Sequence, residues 1–269
     1  MSVNGRLAIV TGGARGIGRA VCELLAKAGA DVVVCDILEA ELAETMQILK
    51  GISSEKQLHL AVHTDVSSAQ SVDAMVQKVQ ETYGQRVPSI LVHSAGIVRN
   101  LKGLAYETEE LFDAVIAVNL KGTYLINRKI ALWMKDRAVK GSIVNICSIN
   151  VGGFAPSPAY AASKGGMLSF SKSLAQELAP VGIRVNCVSP GPIDTVFAWT
   201  ANISKEEYER EEKVEEVEKA SVVPLGRTGT VEEVAEVCLF LASDKSSFVT
   251  CANYEVNGGL HSIIGSKHR

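Results

Sequence analysis

Apolar and polar positions fall in blocks along this chain. Short, nearly continuous apolar runs are separated by longer stretches in which apolar positions recur every three or four residues. The first pattern belongs to a strand buried on both faces and the second to an amphipathic helix. Strands are expected at Arg6 to Thr11, Asp31 to Asp36, Gln57 to Thr64, Pro88 to His93, Gly141 to Ser148 and Ile183 to Val188, with a short one around Tyr254 to Val256. Helices are expected from the turn after Thr11 to about Gly29, from about Glu39, from Ser68 to Tyr83, from about Glu107 to Arg137 with a break near Asn119, from Pro158 to Ala179, and from Thr230 to Ala242. Strands alternating with helices in this way imply a parallel sheet covered on both faces, doubly wound by right-handed crossovers, with ligands at the carboxyl ends of the strands.

No linker or internal repeat divides the chain, so its 269 residues are expected to form one α/β domain. Ser204 to Lys219 differs from the rest in being dense in Glu and Lys, and lies between Pro192 and Pro224. It reads as a solvated helix with i,i+4 pairs such as Glu209/Lys213, and also as a cover over a site, within a substrate-covering segment at about 193–223.

Composition narrows the function classes. A net charge of −3 gives no basic field for nucleic acid. Apolar runs such as Val32 to Val34 fall short of the roughly 18 residues that span a bilayer. No targeting segment is expected, since the first strand already begins near Arg6, and the six cysteines (Cys22, Cys35, Cys147, Cys187, Cys238, Cys251) form no CxxC pair. They are expected to be reduced core thiols in the cytoplasm, or in the mitochondrial matrix for a chain whose transit peptide has been removed. His59 and His63, on an expected strand, would lie about 13 Å apart, too far to share one metal ion, so no metal is expected.

Three motifs carry chemistry. Thr11-Gly12-Gly13-Ala14-Arg15-Gly16-Ile17-Gly18 joins the first strand to the first helix, where glycines let the backbone approach a pyrophosphate seated on the helix N-terminus. Asp36 ends the second strand, where a carboxylate accepts hydrogen bonds from ribose hydroxyls and repels a 2′-phosphate, which favours NAD over NADP. Ile37 follows it, with no second basic residue to join Arg15 against a phosphate. Tyr160 and Lys164 are i and i+4 on a helix and share a face, with Ser148 twelve residues upstream of the tyrosine. An ammonium one turn from a phenol is expected to lower the phenol pKa from its usual value near ~10 towards a working acid or base. Asp65-Val66, after the third strand, reads either as a helix cap or as a rest for the adenine edge.

Assembled in this order and spacing, the chain resembles the short-chain dehydrogenase/reductase family over essentially its whole length. The matching elements are the TGGARGIG turn, Asp36, Asp65-Val66, Ser94-Ala95-Gly96, Asn119, Ser148, Tyr160, Lys164, Pro190-Gly191 and Thr195. Where the family usually reads Asn-Asn-Ala-Gly, this chain has His93-Ser94-Ala95-Gly96. The resemblance implies a Rossmann-type sheet of seven strands in the order 3-2-1-4-5-6-7. It implies an NAD(H)-dependent interconversion of a secondary alcohol and a ketone.

Within that resemblance, Tyr160 exchanges the proton, Lys164 tunes it and meets the nicotinamide ribose, and Ser148 donates to the substrate oxygen. Asn119 holds a water relay leading to Lys164. Ser94, Ala95 and Gly96 offer backbone contacts to the cofactor, and Pro190, Gly191, Ile193 and Thr195 lie along the nicotinamide. The chain looks closest to the group of 3-oxoacyl reductases and type 8 17β-hydroxysteroid dehydrogenases. The family's habit implies a homotetramer through the helices carrying Asn119 to Arg137 and Tyr160 to Ala179, with a hetero-oligomer as the other assembly. Two alternatives stand beside the alcohol dehydrogenase reading. They are a 3-oxoacyl-(ACP or CoA) reductase and a non-catalytic cofactor-binding subunit of a hetero-oligomer.

Overall fold

The computed structural model describes residues 3–153, 157–195 and 223–260. Every residue of β1 (Leu7–Thr11), β4 (Ile90–His93) and β5 (Gly141–Ile146) is buried, as is all of β2 (Asp31–Asp36) but its last residue. A strand with both faces inside has no solvent side to show, so its sequence is continuously apolar and does not alternate. β3 (Leu60–His63) and β7 (Asn253–Val256) lie at the sheet edges and are more exposed. With β6 (Ile183–Pro190) they complete a seven-stranded, all-parallel sheet in the order β3-β2-β1-β4-β5-β6-β7, as the family resemblance implies.

Two apolar layers cover it. Ala8, Val10, Val32, Val34 and Val92 pack against α1 (Gly16–Lys27), α2 (Glu39–Ile52) and α7 (Val231–Ala242) through Val21, Leu25, Leu49 and Leu239. The intervening residues Leu7, Ile9, Val33 and Leu91 face α3 (Ala69–Tyr83), α5 (Gly122–Asp136) and α6 (Pro158–Leu178) through Met75, Ile126, Ile130, Met134 and Leu178. The crevice at the carboxyl ends of the strands opens where the order reverses, between β1 and β4.

Three local expectations need correction. The third strand begins at Leu60 rather than Gln57, because the residues before it are held by side chains instead of a ladder. Gln57 donates to the carbonyls of Ala26 and Ala30, and His59 bridges the Val32 amide and Ser53 Oγ. The chain does not break near Asn119. Between α4 (Glu109–Val115) and α5, residues Ile116–Lys121 keep helical backbone in a wider, π-helical turn. Finally, α4 starts two residues later than expected, since Thr108 Oγ1 caps it by accepting from the Leu111 amide. Glu107 is thereby left outside the helix. The Glu-rich stretch Ser204 to Lys219 lies outside the described residues.

Candidate active site

The crevice is a cleft of about 530 Å³. Every residue assigned to cofactor contact lines it: Gly12, Arg15, Gly16, Ile17, Gly18, Asp36, Ile37, Asp65, Val66, Ser94, Ala95, Gly96, Tyr160, Lys164, Pro190, Gly191, Ile193 and Thr195. Ser148 lines it too, while Asn119 stands behind its wall. The structure adds Leu38, Thr64, Ile97, Arg99, Val118, Ile146, Cys147 and Pro192, which carry no motif.

One end is built to take a dinucleotide. Gly12 has φ of +67°, and a Cβ there would sit 2.7 Å from the Ala95 amide nitrogen. A Cβ at Gly18 would collide with the Gly12 carbonyl oxygen. Only glycine lets this turn pack against the end of β4 and against the helix it opens. The first turn of α1 has no side-chain cap and no acidic residue, so its free amides and positive dipole end face the cleft. Asp36 accepts from the Ala14, Ile37 and Leu38 amides, which fixes its carboxylate at the end of β2. Asp65 accepts from the amide and hydroxyl of Ser67, whereas Ser68 caps α3, so the cap reading of Asp65 gives way to a turn at the cleft. Thr195 lies beside the glycine turn, its methyl 3.8 Å from a Cβ position at Gly16. The residues present therefore fit a nicotinamide dinucleotide.

At the other end stand Ser148, Tyr160 and Lys164. Tyr160 sits in the first turn of α6 and Lys164 one turn on, both buried. The Tyr160 phenol hydrogen-bonds Ser148, yet burial outweighs this and pushes its pKa up to about 12. Lys164 Nζ donates to the Ile146 carbonyl at 2.8 Å and lies 5.7 Å from the Tyr160 ring centre, while burial pulls its pKa down to about 8. The net shift of the phenol is thus upward, with burial its largest cause, where the sequence reading expects a lowering. Desolvation acts on both groups, and the phenol is held neutral.

Asn119 is fully buried in the π-helical turn. Its Oδ1 accepts from the Ile97 amide, and its Nδ2 donates to the Ile97 carbonyl and to Ser163 Oγ. The side chain braces the loop after β4 against α6, a role the spacing does not disclose. π-Helical turns collect at functional sites, and this one carries Asn119.

His93 ends β4 beneath the same floor. Its Nδ1 lies 2.7 Å from Thr11 Oγ1, and its Nε2, also buried, has no hydrogen-bond partner among the described residues. Thr11 Oγ1 also accepts from the Ala95 amide at 3.4 Å, which ties the end of β4 to the glycine turn. Burial, helped by the Lys164 charge, drives the imidazole pKa down to about 3.

This fold and this cleft define a dinucleotide-dependent oxidoreductase, and comparison with known proteins agrees. A family model described as enoyl-(acyl carrier protein) reductase matches residues 12–261. A (3R)-3-hydroxyacyl-CoA dehydrogenase of Canis lupus familiaris is 40% identical over 264 residues, covering 95% of this chain and 96% of the relative. A 3-oxoacyl-(acyl-carrier-protein) reductase of Thermotoga maritima is 38% identical, covering 97% of this chain and 99% of the relative. Among solved structures, levodione reductase superposes with a TM-score of 0.88 at 28% identity, covering 96% of this chain and 98% of that one. The chain belongs to the short-chain dehydrogenase/reductase family and is an oxidoreductase of that family.

Proposed function

We propose that the chain interconverts a secondary alcohol and a ketone with NAD(H), using Tyr160 as the acid–base group. The observation that carries this reading is the meeting of Ser148, Tyr160 and Lys164 in one cleft with Asp36 and the glycine turn. A nicotinamide dinucleotide held by the glycine turn and Asp36 would supply or accept the hydride. Tyr160, neutral because buried, donates its proton to the carbonyl oxygen during reduction, and the phenolate left behind recovers it in the reverse direction. Ser148, hydrogen-bonded to that phenol, stabilises charge developing on the same oxygen. Lys164 presents a cation beside the phenol at 5.7 Å from its ring centre, which favours the phenolate as it forms. Asp36, with its carboxylate fixed by three amides, selects NAD over NADP.

The relatives support a 3-hydroxyacyl or 3-oxoacyl thioester as the substrate, since two of those named act on such chains. Coenzyme A is favoured over a carrier protein as the thioester's handle. The stretch Ser204 to Lys219 carries eight Glu against four basic residues, which disfavours polyanions in general and weighs most against an acidic carrier protein, since that needs a basic docking patch. A homotetramer in the cytoplasm completes the reading. All six thiols are free, and no helix among the described residues is long and apolar enough to cross a membrane. A non-catalytic subunit has no use for the proton-transfer set and is not favoured.

The test is a set of initial rates followed by NADH absorbance on a small ketone, a 3-oxoacyl-CoA and a carrier-linked 3-oxoacyl chain, at low and high salt. Turnover on the CoA thioester exceeding that on the carrier-linked chain is expected. Fastest turnover on the carrier-linked substrate, weakening as salt rises, would identify the other reductase.

A further inference from the structure

α6 carries Tyr160 in its first turn, yet it lacks a cap of its own. Ser157, at the N-cap, makes no side-chain cap hydrogen bond, and Pro158 has no amide hydrogen to offer. The next amide, that of Ala159, donates to Glu107 Oε1 at 2.8 Å across 52 residues of chain. The other carboxylate oxygen, Oε2, accepts from Asn100 Nδ2 at 3.1 Å. Asn100 is 6% exposed and ties its own loop together, donating also to the Gly103 carbonyl and accepting from the Lys102 amide. Ala159 and Tyr160 in turn pack with Val98 and Val115, so the helix start and the loop after β4 share a small apolar cluster.

We propose that Glu107 is a positioning residue for Tyr160, capping the catalytic helix from the neighbouring loop and locking that loop to the helix start through Asn100. Three physical points support it. A carboxylate at a helix N-terminus meets both an orphan amide and the positive end of the dipole. With each oxygen engaged by a different element, the carboxylate cannot rotate without giving up one bond. The capped residue is adjacent to Tyr160, so a loose first turn moves the phenol directly, and proton transfer depends steeply on placement.

This assignment rests on Tyr160 being the acid–base group proposed above, so the test has one arm that needs no substrate. In Glu107→Gln the side chain keeps its shape and loses its charge, and its amide nitrogen meets the Asn100 donor. Hydrogen exchange should quicken at the amides of residues 159–162 while β1 and β5 remain protected. In steady state, kcat should fall by roughly ten- to a hundred-fold, with NADH affinity and thermal midpoint little changed. Glu107→Asp, which keeps the charge on a shorter arm, should recover part of the loss. In a Tyr160→Phe background the Glu107→Gln change should cost the residual rate almost nothing, since Glu107 acts through the phenol. Unchanged exchange at residues 159–162, a kcat within twofold of wild type, or an undiminished loss in the Tyr160→Phe background would each overturn the proposal. A wild-type protein without turnover would sink the function reading instead, and the exchange arm would still decide whether Glu107 caps the helix.

Discussion

His93 and Asp36 show how single residues set the behaviour of this site. His93 is buried with an orphaned Nε2, and its folded pKa of about 3 lies below the ordinary value near 6.5. Between those two values the unfolded chain binds a proton that the folded chain does not. The His93 contribution to stability is therefore intact above pH 6.5 and is lost as pH falls towards 3, by up to about 1.4 kcal/mol per pH unit. His93→Asn should flatten the fall in stability between pH 7 and pH 5, as read from urea midpoints of variant and wild type. Identical slopes for the two proteins would show that His93 does not titrate this way. Asp36→Ala should narrow or reverse the preference for NADH over NADPH, measured as the ratio of kcat/KM values. A wild-type protein already faster with NADPH would mean that Arg15 outweighs the carboxylate.

At the scale of elements, the structure follows the sequence where burial dictates the pattern and departs from it where side chains from distant segments intervene. β2 and the start of α6 fall where the apolar runs put them, because a fully buried strand and a Pro at the first helical position leave unambiguous marks. The π-helical turn at Ile116–Lys121 was not legible, since one extra residue per turn barely disturbs an apolar periodicity over so short a span. The shortened β3 and the Glu107–Ala159 contact depend on partners tens of residues away, which no local window contains. The motif residues of the cleft were legible because their order along the chain follows the order of the strands that carry them. The Asn119 brace and the neutral phenol were not, because both depend on burial created by packing. α7 offers a direct check on local encoding. Thr230 and Glu233 cap it reciprocally, and Thr230→Ala should lower stability by about 1 kcal/mol with an unchanged urea slope. No shift of the midpoint would mean that packing of α7 on α1 alone holds its start.

Over the whole molecule, the sheet separates two jobs. Its N-terminal strands and α1 build the glycine-turn end of the cleft, while β5 and α6 bring Ser148, Tyr160 and Lys164 to the same opening. On the α5 side Tyr124 and Leu132 are left exposed, 46% and 38% respectively, and Tyr124 packs edge-on against Phe170 of α6. A surface of this kind suits the proposed tetramer, which predicts a native mass near four times the 28.6 kDa chain. A monomer at micromolar concentration would contradict it. The central claim is that the buried phenol of Tyr160 moves the proton, and it is tested most directly by Tyr160→Phe assayed for both binding and turnover. The account predicts NADH affinity within a few-fold of wild type and kcat lowered by ~10²–10⁴-fold. Retention of more than about a tenth of wild-type kcat would contradict it, since losing a general acid costs far more than that.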